Sequence, residues 1–294
     1  MLLIEYSPYL FLSLSLILIW GRQNKNLLFK YAWLVALVLA CCCAVYIGVV
    51  TITGVLITFL VGGLAWCSVN NNYNLPLRWG AGILFVASVI VLALHKMPGF
   101  NSTVILDNVI FTPGARAYSL YLNFDKTLIA VFILGIVYQR PDNALTWKAT
   151  FKWLWLLPVI IGIVIFLALL TGHVKYEPKF HESRIMDNLW FWIWINLLFT
   201  CTVEEAFFRG LIQHQLMTFC SKKHINKWIA VGIASLLFGV AHSAGGGLYV
   251  ALATVAGFGY GAVYILTGRI EASIICHFSL NLVHILLFTY PAVE

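Results

Sequence analysis

Ten apolar runs, each near the length that a helix needs to cross a bilayer, follow one another along this chain of 294 residues. A transmembrane helix needs about 20 apolar residues. The second and third runs share one long apolar stretch that is interrupted only at Tyr46-Ile47-Gly48, and the fifth run is short. We therefore predict an all-α, polytopic helical membrane protein with about 8 to 10 transmembrane helices. The runs lie at residues 2–20, 31–47, 50–68, 79–95, 126–139, 151–171, 189–217, 227–243, 247–267 and 271–290.

The composition and charge support a membrane location. Hydrophobic residues make up 62% of the chain and charged residues 10%, whereas soluble domains carry roughly 25% charged residues. The net charge of +7 comes from Lys and Arg scattered through short loops, which argues against a nucleic-acid partner. If the loop with Arg22, Lys25 and Lys30 is cytoplasmic, eleven basic residues lie inside and six outside, as the positive-inside rule favours. We predict an integral, multi-pass protein of the cell's inner or plasma membrane, with membrane lipids among its partners.

The chain divides near its middle. Residues 1–149 form N-terminal membrane helices of unassigned role, and residues 150–294 form a C-terminal helical core that holds the polar motifs described next. The segment Met97–Asp125 has Pro and Gly between short β-prone runs, which predicts a structured outer loop. The loop Gly172–Asn188 is rich in charged residues and has the composition of a solvated surface.

Two adjacent acids, Glu204 and Glu205, stand in one of the most apolar parts of the chain, and Arg209 follows. A charged side chain in the centre of a membrane costs about 2.5 to 3.5 kcal/mol, so such acids indicate a functional site. Residues four apart share one face of a helix, whereas neighbours point about 100° apart. We therefore expect Glu205 to pair with Arg209 and Glu204 to remain without a partner.

Two further patterns carry polar groups in the last spans. One is Phe238-Gly239-Val240-Ala241-His242, and the other is His277-Phe278-Ser279-Leu280-Asn281. Together with a carboxylate, these groups could hydrolyse an amide. The carboxylate accepts a proton from water, and an imidazole orients that water or protonates the leaving amine. Asn281, helped by an imidazole, can stabilise the oxyanion. His284 lies seven residues after His277 and therefore on a similar helix face, so it is a further candidate to line a cavity at this site.

The three motifs, Glu-Glu-x-x-x-Arg, Phe-x-x-x-His and His-x-x-x-Asn, resemble in their order the signature of the CAAX protease and bacteriocin-processing family, also called the abortive-infection family. The similarity covers about residues 190–285. It implies an intramembrane endopeptidase with an all-helical core and a cavity open toward one membrane face. Its substrate would be a membrane-associated peptide or protein, including a prenylated one.

The resemblance also implies roles for individual residues. Glu204 would activate the water with help from His242, while His277 and Asn281 would form the oxyanion site. Glu205 would belong to the catalytic group by orienting the first glutamate. The orienting residues would be Arg209 and Phe238.

Several alternatives are open at this stage. Members of the family are described both as metalloproteases and as metal-independent glutamate proteases, so a Zn²⁺ or other divalent ion is an option. Glu204, His242 and His277 would then be the ligands, with water as the fourth. The chain has no His-Glu-x-x-His motif. Alternative functions are a proton-coupled membrane transporter, because buried Glu and His also form proton relays, and a non-catalytic membrane binding or immunity protein.

One geometric difficulty follows from these span boundaries. With a rise of about 1.5 Å per residue, His242 falls near the outer end of its span and His277 near the inner end of its own. The motifs can converge only if helices are tilted, broken or shifted. We therefore expect a break at Thr200–Val203, with a new helix beginning near Glu204.

Overall fold

Each of the ten apolar runs lies on a helix in the computed structural model, which describes residues 2–23 and 25–294. The protein is 70% helical, and the all-α membrane architecture is confirmed. The helices are α1 (Ser7–Gly21), α2 (Leu27–Tyr46), α3 (Ile52–Val69), α4 (Leu75–Ala93), α5 (Phe124–Phe132), α6 (Trp147–Leu170), α7 (Leu189–Lys222), α8 (Trp228–Ala241), α9 (Gly247–Thr267) and α10 (Ile270–Leu287).

Helix length and hydropathy separate these helices into two groups. Within the described residues, α2, α3, α4, α6, α7, α9 and α10 are long and apolar enough to cross a membrane, while α1 and α8 are shorter apolar helices. The short fifth run gives the nine-residue α5, which continues as a π-helical turn at Ile133–Val137. The protein is therefore an integral, multi-pass membrane protein.

Side-chain caps explain where three of the N-terminal helices begin. Asn26 accepts a hydrogen bond from Leu28 N at the start of α2, and Asn74 accepts one from Leu77 N at the start of α4. Thr51 caps α3 in the same way. The long apolar run is divided at the predicted place, because Gly48 adopts a φ of +80° between α2 and α3. Glycine reaches this left-handed region without steric cost.

Helix α7 does not break where the sequence suggested. The chain is helical throughout Leu189–Lys222, so the expected break at Thr200–Val203 is wrong. Instead, π-helical stretches at Ile195–Cys201 and Ala206–Gln213 lie on either side of the short α-helical turn Thr202–Glu205. A π-helical turn shifts the faces of a helix without ending it, and such turns occur frequently at functional sites.

The described residues form two compact units. The first unit holds the residues up to Ile105 together with Tyr121–Gln139 and Leu198–Ala206. In it, α1 packs on α2, α3 packs on α4, and α5 contacts α1, α3, α4 and the turn Thr202–Glu205. The second unit holds Leu106–Leu120, Arg140–Leu197 and Phe207–Glu294.

In the second unit, α9 is the central helix and packs on α6, α8 and α10. Its core combines Phe208, Phe238, Ala256 and Tyr260 with residues of α6 and α10. Small residues on α9 allow close helix contacts, as at Gly259, where an added Cβ would lie 2.6 Å from Ile160 Cγ2. Such close approaches are typical of helix packing in membranes.

The structures of the two long loops agree to different degrees with the predictions made from their composition. The segment Met97–Asp125 contains the two-stranded sheet of β1 (Thr103–Val109) and β2 (Tyr118–Leu122), so the structured loop is confirmed. The loop Gly172–Asn188, in contrast, is not merely a solvated surface. Its Lys179 is fully buried.

Lys179 closes the C-terminal end of α10. Its Nζ donates to the carbonyl of Ile285 at 3.1 Å and to that of Phe288. The last carbonyls of a helix lack partners within the helix and favour a nearby cation. Burial lowers the pKa of Lys179 from 10.5 to about 8. The loop thereby fixes the helix that carries the His277 motif.

Candidate active site

A small cavity in the second unit brings two of the three motifs together. Its volume is about 80 Å³, which is room for a few water molecules. Residues His242, His277 and Asn281 line it. His242 lies at the end of its helix, as predicted, whereas the predicted place of His277 near the end of its span is wrong, because His277 lies in the middle of α10. The other polar residues in the lining are His173, Tyr249, Tyr260 and His284.

His242 stands directly after the last residue of α8 and is half-buried. Its Nδ1 lies 2.7 Å from the carbonyl oxygen of Phe238. Because a carbonyl oxygen can only accept, Nδ1 must carry the proton, and in the neutral ring Nε2 is then the acceptor nitrogen. The Phe238 ring also packs on the imidazole at 4.6 Å between centroids. The residues of the Phe-x-x-x-His motif thus fix both the tautomer and the position of His242.

His277 is held by aromatic packing. It is buried within α10, and its ring stacks on Tyr260 with centroids 4.6 Å apart and planes inclined by 15°. The Phe238 ring meets it edge-on at 5.7 Å. One turn later on the same helix, the amide nitrogen of Asn281 donates to Asn196 Oδ1 at 3.2 Å. This bond orients the Asn281 amide.

Arg209 is fully buried behind the same aromatic residues. Its guanidinium donates to the carbonyl of Gly257 at 2.6 Å and lies over the rings of Phe238 and Tyr260, at 4.9 and 5.4 Å from their centroids. Cation–π contacts of this kind strengthen when they are desolvated. Arg209 therefore connects α7 to α9 and supports the two rings that hold His242 and His277. Its expected pairing with Glu205 stays a prediction.

The two glutamates belong to the first unit. Glu205 is fully buried. Glu204 is 15% exposed, and its Oε1 lies 3.3 Å from Lys126 Nζ on α5. The expectation that Glu204 has no partner is therefore wrong, since it forms an ion pair with a residue 78 positions earlier in the chain. The ion pair fixes the direction in which the carboxylate points.

Sequence reasoning missed several residues around the cavity. Asn196 is a polar residue within an apolar span, eight positions before Glu204, and such residues tend to bind neighbouring helices. His173 and Tyr249 also line the cavity, and their rings stack with centroids 5.6 Å apart. Burial, and then the charge of Arg116, lower the pKa of His173. His284 lines the cavity as the heptad spacing from His277 suggested.

The donor arrangement gives no support to a metal site. Over residues 2–23 and 25–294, no three His, Cys, Asp or Glu side chains form a group that could hold a metal ion. A zinc site needs three or four such ligands in tetrahedral arrangement.

Comparison with known proteins found one family match, and it lies in this region. Residues 186–283 match the model of a family described as type II CAAX prenyl endopeptidase Rce1-like. The match covers about a third of the chain, from the beginning of α7 into α10, and includes all three motifs. Searches of curated proteins and of solved structures found no match.

Proposed function

We propose that this chain, whose residues 186–283 form a type II CAAX prenyl endopeptidase Rce1-like domain, hydrolyses a peptide bond in a membrane-associated or lipidated protein. Membership of this family implies a peptidase that works in the membrane. The observation that carries the proposal is the joint lining of one cavity by His242, His277 and Asn281, which come from two separate motifs. We assign the catalytic core to residues 150–294.

His242 is proposed to hold the attacking water. Its Nδ1 donates to the Phe238 carbonyl, so Nε2 can accept a hydrogen bond from one O–H of the water, while the other O–H carries the proton that a general base can remove. Glu204, by its place in the family motif, is proposed to take that proton as the general base. A positioned acid or base of this kind contributes typically about 10² to 10⁴-fold to the rate. The ion pair with Lys126 keeps the Glu204 carboxylate in one orientation.

His277 and Asn281 are proposed to stabilise the oxyanion that develops on the scissile carbonyl. Both stand on one face of α10, four residues apart. Stacking on Tyr260 and the bond to Asn196 hold them in place before substrate binds. Donors that need no reorganisation during the reaction give the strongest electrostatic stabilisation. Glu205, Arg209 and Phe238 are proposed as the residues that position this group.

The substrate class follows from the family and from the location of the site. We propose a prenylated protein or peptide, anchored in the same membrane by its lipid. The cavity of about 80 Å³ is far below the roughly 300 to 1,000 Å³ of a complete ligand pocket. It has room for the water and the reacting group, and the rest of the substrate must lie outside it.

A purified-protein assay tests this proposal. The chain in lipid nanodiscs is incubated with a farnesylated peptide that ends in a CAAX sequence, and mass spectrometry measures release of the C-terminal fragment. We expect Glu204→Gln to lower the rate about 10² to 10⁴-fold, and His277→Gln and Asn281→Ala about 10² to 10³-fold each. The matched control is His181→Gln, at an exposed loop position, which should cleave like the wild type.

Two results would contradict the proposal. One is a rate for Glu204→Gln equal to that of the control variant. The other is the absence of any released fragment with prenylated and unprenylated peptides, together with a proton flux through reconstituted vesicles that depends on Glu204. The second result would favour the transporter alternative.

A further inference from the structure

A long groove lies in the first unit, in the region that the family match does not cover. Its volume is about 620 Å³, and its lining comes from α2, α3, the end of α5 and the residues that follow α1 and α5. This volume is within the range of about 300 to 1,000 Å³ found for ligand sites. The groove belongs entirely to the first unit, so it is separate from the cavity of the second unit.

The charged and amide side chains of the groove lie at one end. Arg22, Gln23, Lys30 and Gln139 line it where α1 ends and α2 begins. Deeper in the groove the lining is mostly apolar, with residues such as Leu37, Phe59 and Phe132, and the hydroxyl of Thr58 donates to the carbonyl of Gly54. A ligand that fills it therefore has a polar head at the membrane interface and an apolar tail below it.

The depth of the groove matches one leaflet of a bilayer. Along α2 the lining runs from Lys30 to Val38, eight residues and about 12 Å, and along α3 from Val69 to Thr58, eleven residues and about 16 Å. The hydrocarbon core of a membrane is about 30 Å thick. The groove thus extends from the interface to about the midplane, as a lipid tail does.

The apolar walls of the groove present surface that a lipid tail would cover. Leu34, Val38, Phe59 and Trp66 line it and are 38% to 59% exposed. Space for a tail comes from Gly63, where an added Cβ would meet no atom within 4 Å. This position also gives a means of filling the groove by substitution.

The charge at the polar end selects the head group. Arg22 and Lys30 are basic, and none of the described residues in the lining is acidic. Arg22 is held in place by donating to the carbonyl of Tyr138. Basic pockets between transmembrane helices bind anionic lipid head groups.

We propose that this groove binds one anionic glycerophospholipid, with an acyl chain against α2 and α3 and the phosphate beside Arg22 and Lys30. The lipid would be a structural part of the N-terminal region, to which neither motif nor family match assigns a role. The proposal is independent of the peptidase assignment, because it uses no residue of the second unit.

Native mass spectrometry tests lipid binding directly. The full chain is purified in a mild detergent, supplied with phosphatidylglycerol, and the fraction of protein carrying lipid is measured for wild type, Gly63→Leu and Gly80→Leu. An added Cβ at Gly80 would also meet no atom within 4 Å, but Gly80 does not line the groove, so it is the matched control. We expect Gly63→Leu to lose the bound lipid and Gly80→Leu to retain it.

A second variant tests the role of the basic charge at the polar end of the groove. Its result is informative even if the glycine variants fail to fold. Lys30 is exposed, so Lys30→Gln should not disturb packing. We expect it to lower the preference for phosphatidylglycerol over phosphatidylcholine about fivefold, the factor for one interfacial cation. The proposal is overturned if Gly63→Leu carries as much lipid as Gly80→Leu, if wild type binds both lipids equally, or if the groove is found occupied by a second copy of the chain.

Discussion

Replacing Gly239 by alanine should force α8 away from α9. A Cβ at this position would lie 1.9 Å from Thr254 Oγ1 and 2.7 Å from the carbonyl oxygen of Val250. Non-bonded heavy atoms normally stay about 3.5 Å apart. The Thr254 hydroxyl could rotate away only by giving up its 2.8 Å hydrogen bond to Val250 O, and the backbone carbonyl cannot rotate at all. The helices must therefore separate.

The loss of stability expected for Gly239→Ala can be compared with the effect of a second glycine substitution on α8. Overpacking of this kind costs typically about 1 to 3 kcal/mol. Gly232 is also on α8, but a Cβ there meets no atom within 4 Å. Gly232→Ala should therefore show only the gain from the helix propensity of alanine, about 0.5 to 1 kcal/mol. Replacement by alanine should therefore lower the free energy of unfolding at Gly239 and raise it at Gly232, seven residues earlier.

Thermal unfolding in detergent measures this difference, with the two variants prepared side by side. The peptidase assay adds a second readout, because His242 follows Gly239 by three residues and a displacement of about 1 Å at a site can cost roughly 10²-fold in rate. If Gly239→Ala is as stable as Gly232→Ala and equally active, the close packing of α8 on α9 and its role in placing His242 are refuted.

Three further predictions concern the supports of the site. Lys179→Met removes the charged donor at the end of α10 and should lower the free energy of unfolding by about 1.5 to 3 kcal/mol, measured by denaturation in detergent. Arg209→Lys keeps the charge but loses the planar contacts with the aromatic rings, so we expect a lower melting temperature than for the surface control Lys223→Arg. Because burial lowers the pKa of His173 below 6.5, the unfolded state binds its proton first. Stability should therefore fall as the pH drops below about 6.5, and His173→Gln should flatten that dependence; an unchanged pH profile would contradict it.

The sequence predicted the structural features that depend on one segment of the chain alone. Apolar runs of sufficient length must become helices in a membrane, because every backbone group needs an internal partner there. The spacing of four residues placed His277 and Asn281 on one face of α10, and the structure finds both at one cavity. Similarly, a left-handed Gly48 divides the long apolar run where the sequence is interrupted.

Contacts between segments that are far apart in the sequence could not be predicted in this way. The ion pair of Glu204 with Lys126 depends on how α5 packs against the turn Thr202–Glu205, and no local pattern encodes that contact. The burial of Lys179 likewise depends on the loop folding over the end of α10. The break expected at Thr200–Val203 was inferred from the need for the motifs to converge, and the span boundaries could not show that π-helical stretches shift the faces of a continuous helix instead.

Mapping of protein C-termini in living cells tests the central claim most directly. Membrane fractions are compared between cells that produce the wild-type chain and cells that produce equal amounts of Glu204→Gln. The account predicts a set of membrane-associated proteins with shortened C-termini in the first cells and full-length C-termini in the second. Identical C-termini in both would contradict the claim that Glu204 and the histidines of the cavity cleave peptide bonds.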